Sequence, residues 1–305
     1  NFITITSAPE VLEANATVEI VSESGEAELL TETSPGTYET SSSFRGITGV
    51  GYVLNITLEN GNRYKSSTEF MPNETEIDSL IITYEQRELL NDNNVVLPVN
   101  GMIVTARSRI TQENELIRLR YTSIHEINTN PELFETIRGP EPRECSGYIF
   151  EGILKKVGPC TCCICYVENN STVTKLYDSR LLPDGEIALT DLDFIEDTEG
   201  IFATRFYIEV EQLSLTPDAY RFWSSVASQE ANGSLFNQPP GKLSSNIQSL
   251  DNPSETVLGY FSVSSIDTKS RFILPNEIPF RFSELIFNED CRKFFNSDTE
   301  KPPFW

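Results

Sequence analysis

A chain of 305 residues, 38% apolar and 23% charged, has the composition of a globular protein with room for one large domain or two. Its 46 acids against 23 bases leave a formal charge of -23, which excludes a surface built for nucleic-acid phosphates and disfavours charge-driven binding to anionic headgroups. His125 is the single histidine, so histidine-rich metal sites are excluded and any Ser–His–Asp or Cys–His machinery would have to use that residue.

The opening NFITITSAPEVL reads as strand, the start expected of a mature or truncated chain. No run of eighteen apolar residues follows that would cross a bilayer as a helix. ANATVEIV alternates, with Ala16, Val18 and Ile20 on one face. Ser24-Gly25 turns it, and EAELL returns. Pro35-Gly36 suits a turn with φ > 0 at its second central residue. GYVLNITLENGNRYKSS is the clearest hairpin, turning at Asn60-Gly61. These short strands predict a small immunoglobulin- or transthyretin-like sandwich over residues 1–75, closed by the polar, proline-containing MPNETEIDSL.

Residues 76–305 read as a larger β-sandwich or barrel-like domain. DSLIITYE, GMIVTARSRI and LIRLRYTSIHEI are strands, and His125 in the last is expected to pack rather than to catalyse. IRGPEPRE is a loop. The acidic DLDFIEDTEG is expected between strands, and it lacks the spaced ligands of an EF-hand. One helix is predicted over 217–231: Thr216 can N-cap, Pro217 sits where its missing N–H costs nothing, and Asp218 suits the positive end of the dipole. Ala219, Phe222, Trp223 and Val226 form its apolar stripe, facing the core, and Gly233 marks the exit. TVLGYFSVSSI then reads as strand.

From Arg205 to Ile273 the residues resemble the hallmark region of a family of Bacteroidota outer-membrane lipoproteins, the domain of unknown function numbered 4249. The shared elements are Tyr207 to Gln212, Ser214 to Trp223, Gly233 to Phe236, Pro239-Pro240 and Val257 to Phe261. The terminal KPPFW and the small sandwich are similar too. The resemblance implies a cell-surface protein held at the outer membrane by an N-terminal lipid anchor absent from this chain, often encoded beside TonB-dependent, SusC-like barrel receptors. It implies no catalytic residue, cofactor or metal.

An exported setting favours disulfides for the six cysteines, Cys145, Cys160, Cys162, Cys163, Cys165 and Cys291. A strand through CTCCIC would point Cys160 and Cys162 one way and Cys163 and Cys165 the other. Bonds from the cluster to Cys145 and Cys291 are then natural, with the remaining two paired across the loop. Zinc and redox chemistry are the rival readings; the C-x-x-C spacings interleave, unlike the separate knuckles of a zinc site.

The expected function is a non-catalytic accessory subunit of an outer-membrane complex, partnering a TonB-dependent barrel in transport or in outer-membrane protein assembly or export. The alternative is a stand-alone glycan- or peptide-binding module, with Tyr148, Tyr166, Tyr177 or Phe236 as stacking groups. A two-carboxylate hydrolase is the enzyme alternative, though no acid pair stands out. The interface is expected at GSLFNQPPG, which is apolar at Leu235 and Phe236 and stiffened by Pro239 and Pro240.

Overall fold

The computed structural model of the chain describes residues 12–90, 95–110, 115–171, 173–181, 187–198, 200–231, 245–279 and 287–305. They build a mainly β protein of open antiparallel sheets with one α-helix; among the described residues no sheet closes into a barrel. The N-terminal hairpins form where turn chemistry and alternation predict them. Thr17–Ser22 pairs with Ala27–Leu29 around Gly25 at φ +88°, and Gly51–Thr57 pairs with Arg63–Ser66 around Gly61, also at φ +88°. Both angles lie in the left-handed region that glycine enters without a Cβ clash. The sheet they share takes its edge strand, Ile247–Ser249, from nearly two hundred residues downstream.

The larger sandwich has two layers. One is a three-stranded sheet of Glu76–Leu90, Val96–Arg109 and Ile187–Glu196. The other is six-stranded and centred on Leu116–Asn128, flanked by Phe206–Ser214 and Ile164–Asn170. Met102, Val104 and Ala106 from the first layer meet Ile117, Leu119, Phe206, Ile208 and Val210 from the second in one dry core. Each strand alternates, so the same strands present Arg118, Arg120, Tyr207 and Glu211 to the opposite, outer face.

Three local expectations are corrected. The acidic Asp191–Glu196 lies within a strand and not between strands, because Leu192 is 1% exposed in the core and Ile195 packs beside it. Its acids take partners instead: Thr105 Oγ1 donates to Asp191 at 2.6 Å and Tyr121 OH to Asp193 at 2.8 Å. TVLGYFSVSSI carries no ladder before Ile266. There the Asn246 side chain stands in for a neighbouring strand, donating to Phe261 O at 2.7 Å and accepting from Phe261 N at 2.8 Å. The strand through CTCCIC begins only at Ile164.

The helix Pro217–Ala231 forms as its caps dictate, with Ala219 N donating to Thr216 Oγ1 at 3.2 Å. Ala219 and Phe222 are buried, and Phe222 stacks on Tyr260 at 4.8 Å. Gly233 lies outside the described residues. Buried Glu69 ties the small sheet to this region, accepting from Thr216 Oγ1 (2.8 Å), Tyr260 OH (2.6 Å) and Asn246 Nδ2 (3.3 Å). Glu69→Ala removes the shared acceptor from three partly buried donors. The expected loss is about 3 kcal/mol in a urea titration.

His125 is 6% exposed and stacks on Phe206 at 6.2 Å, a packing residue as the sequence suggests. Burial depresses its pKa to about 4. The unfolded chain, titrating near 6.5, therefore binds the proton first. Stability is complete above about pH 6.5 and falls towards pH 4, by about 3 kcal/mol from this group. Asp197, raised by burial to about 6, works in the opposite direction in the same window. The difference between wild type and His125→Gln, melted at pH 7.5 and pH 4.5, isolates the histidine: the variant should lose less on acidification.

Candidate functional site

The six cysteines converge on one patch. Cys145 bonds Cys162, Cys160 bonds Cys163 and Cys165 bonds Cys291, with Cα separations of 5.6, 5.8 and 5.7 Å. The Cys160–Cys163 bond explains why the cluster is not strand. Three residues of extended chain span about 10 Å, beyond disulfide reach, whereas a turn brings the two Cα atoms together.

Two of these bonds close loops within the segment 131–163, and the third ties the C-terminal segment to the large sheet at Cys165; backbone hydrogen bonds then join the three. Cys291 N donates to Cys162 O at 3.1 Å and Thr129 N to Cys163 O at 2.8 Å. Arg143 spans the gap to the C-terminal segment, pairing with Glu289 at 2.6 Å while its guanidinium lies 3.4 Å over the Phe134 ring. Lys293 also reaches Glu289, at 2.8 Å, and Arg292 holds Asp290 at 2.6 Å. The hydrogen bonds from Lys293 and Arg143 keep the Glu289 carboxyl below its ordinary range, and the bond from Arg292 does the same for Asp290.

What the brace presents is a hairpin, Tyr148–Phe150 with Leu154–Lys156, that among the described residues pairs with no other sheet. A lone two-stranded hairpin is marginal in water. This one is anchored at its base by Cys145–Cys162 and by Val157 N and Gly158 N, which both donate to Gly147 O at 2.8 and 3.1 Å. Gly147 cannot be replaced there: its φ is +73°, and a Cβ would lie 2.4 Å from Gly158 O.

Ile149, Phe150, Ile153, Leu154 and Val157 are all exposed, Ile153 by 73% and Val157 by 58%. Beyond the hairpin, Ile137, Ile164 and Phe295 are exposed as well. Single exposed apolar residues are ordinary, but five within nine positions of one projecting hairpin form an unusually apolar patch. The segment 131–163 is also close to neutral in a strongly acidic chain, with Glu132, Glu135, Glu141, Glu144 and Glu151 set against Arg138, Arg143, Lys155 and Lys156.

The ligand atoms of Cys145, Cys162 and Asp290 lie within 4.8 Å of one another. In this oxidised state the two sulfurs are joined and have no thiolate to donate to a metal, and Asp290 is engaged by Arg292.

Of the residues singled out from the sequence, the six cysteines come together. Leu235, Phe236, Pro239 and Pro240 lie outside the described residues. Tyr166 is buried, with Trp305 edge-on at 5.2 Å, while Tyr148 and Tyr177 are half-buried. Sequence reading missed the hairpin YIFEGILKKV. Its signal was apolar residues on both faces of a short turn-centred repeat, beside a cysteine that had to be anchored.

Comparison with known proteins finds one relationship. The family model described as domain of unknown function (DUF4249) matches residues 3–270. No curated protein and no solved structure matches the chain.

Proposed function

The chain belongs to the DUF4249 family, and from that premise we propose that it is a non-catalytic, lipid-anchored subunit of an outer-membrane complex at the cell surface, docked on a TonB-dependent barrel. The observation that carries this reading is the cystine-braced hairpin with its five exposed apolar side chains. An apolar projection left in water is a solubility liability, and covering it with a partner removes that liability. Covalent bracing lowers the conformational entropy lost on docking, so more of the contact energy appears as affinity. Three disulfides in one patch suit an extracytoplasmic, oxidising setting. The docked subunit assists the barrel either in substrate transport or in the assembly or export of outer-membrane proteins.

The test is native purification from the envelope in mild detergent, followed by mass spectrometry of what accompanies the protein. A stoichiometric β-barrel is the expected result. A protein that leaves the envelope alone, under conditions that preserve other outer-membrane complexes, sinks the reading.

A further inference from the structure

On the outer face of the six-stranded sheet, between that sheet and the helix Pro217–Ala231, lies a cleft of about 440 Å³. This is within the usual size of small-molecule sites. Arg118 and Arg120 project into it from one strand, and Trp223 from the helix forms a wall. The Arg118 guanidinium lies 3.4 Å above the Trp223 ring. Its Nε is buried without a partner, and among the described residues its side chain makes no hydrogen bond or ion pair.

The other charges in the cleft are already engaged. Arg120 pairs with Glu211. Glu230 accepts from Thr174 N at 2.9 Å and from Thr174 Oγ1 at 3.0 Å, which ties the helix to the loop before the next strand. Burial, and next the neighbouring Arg120 charge, lower the Arg118 pKa, while Glu230 acts against them. A guanidinium oriented by an indole and without a carboxylate partner among the described residues presents the flat fork of its terminal amino groups, which is complementary to a planar carboxylate. Around it Thr122, Asn170, Ser171 and Thr174 supply hydroxyl and amide groups, with Thr122 Oγ1 already bonded to Asn170 Oδ1 at 2.7 Å. Those groups match hydroxyls and not a second charge.

We propose that this cleft binds a small polyhydroxylated carboxylate, a sugar acid of the uronic type, with its carboxylate on Arg118 and its hydroxyls on the Thr122–Asn170–Thr174 side. This inference is independent of the barrel-docking surface, which is built from other residues.

The chain contains two tryptophans, Trp223 and Trp305, so Trp305→Phe leaves Trp223 as the sole indole reporter. The full chain carrying that change is titrated with glucuronate, glucose and acetate while Trp223 emission is followed. Saturable quenching by glucuronate is expected, with no response to glucose and at least tenfold weaker binding of acetate. Arg118→Gln should weaken glucuronate binding at least tenfold, and Arg118→Lys, which keeps the charge but loses the flat fork, should weaken it measurably too. A melting curve for each variant separates lost binding from lost fold. Absence of saturable binding at millimolar glucuronate, or binding unchanged in both Arg118 variants, would overturn the assignment. Acetate binding as tightly as glucuronate would overturn the sugar-acid part of it.

Discussion

Serine at both Cys165 and Cys291 is expected to lower the melting temperature by about 10 °C. The bond joins residues 126 positions apart. On the chain-entropy account, closing a loop of that length in the unfolded state contributes about 5 kcal/mol, against about 3 for the Cys145–Cys162 bond and under 2 for Cys160–Cys163. Both Cys165 and Cys291 are fully buried, so the serine hydroxyls add a desolvation cost to the lost crosslink. The bond also fixes the segment that supplies the short strand Ser297–Asp298 to the sheet edge at Tyr166 and Val167. Calorimetry on the three double-serine variants should rank them by loop length. A Cys160/Cys163 variant as unstable as the Cys165/Cys291 variant would show that local geometry, and not chain entropy, governs the patch.

The second large effect concerns binding. Phe150→Ser combined with Ile153→Ser should leave the melting temperature within a few degrees of wild type, because both side chains already face water. If the hairpin docks on a barrel, the same pair should weaken the complex about a hundredfold, since apolar anchors of this kind act as hot spots. Ile47→Ser removes an equally exposed residue from the small N-terminal unit and should leave the complex intact. Serine at Cys145 and Cys162 tests the brace itself: the apolar side chains remain, but the hairpin loses its anchor, and affinity falls through lost preorganisation. Binding that survives the Phe150/Ile153 pair moves the interface elsewhere.

Much of this protein is written locally. Alternation placed the strands around Val18, Ile56, Val104 and Leu119, since a period of two separates a core face from a wet one whatever the neighbours are. Thr216, Pro217 and Asp218 announced the helix start, because capping is satisfied within four residues. The even count of six cysteines in an exported setting pointed to disulfides, but which of CTCCIC pair with each other and which with Cys145 and Cys291 came only with the turn that joins Cys160 to Cys163.

Tertiary structure alone decided the rest. Ile247–Ser249 completes the first sheet because Arg63–Ser66 leaves an unpaired edge there, and three residues carry no pattern that names a partner so far away. Asp191–Glu196 is strand because Leu192 meets a core built between its own sheet and the six-stranded one, which outweighs the polarity of its neighbours. Glu69 and Arg118 look like ordinary surface charges in the sequence. Only packing buries the first among three donors and sets the second on Trp223. Short-range backbone preference is a property of adjacent residues, whereas burial, pairing and the environment of a charge belong to segments brought together from a distance.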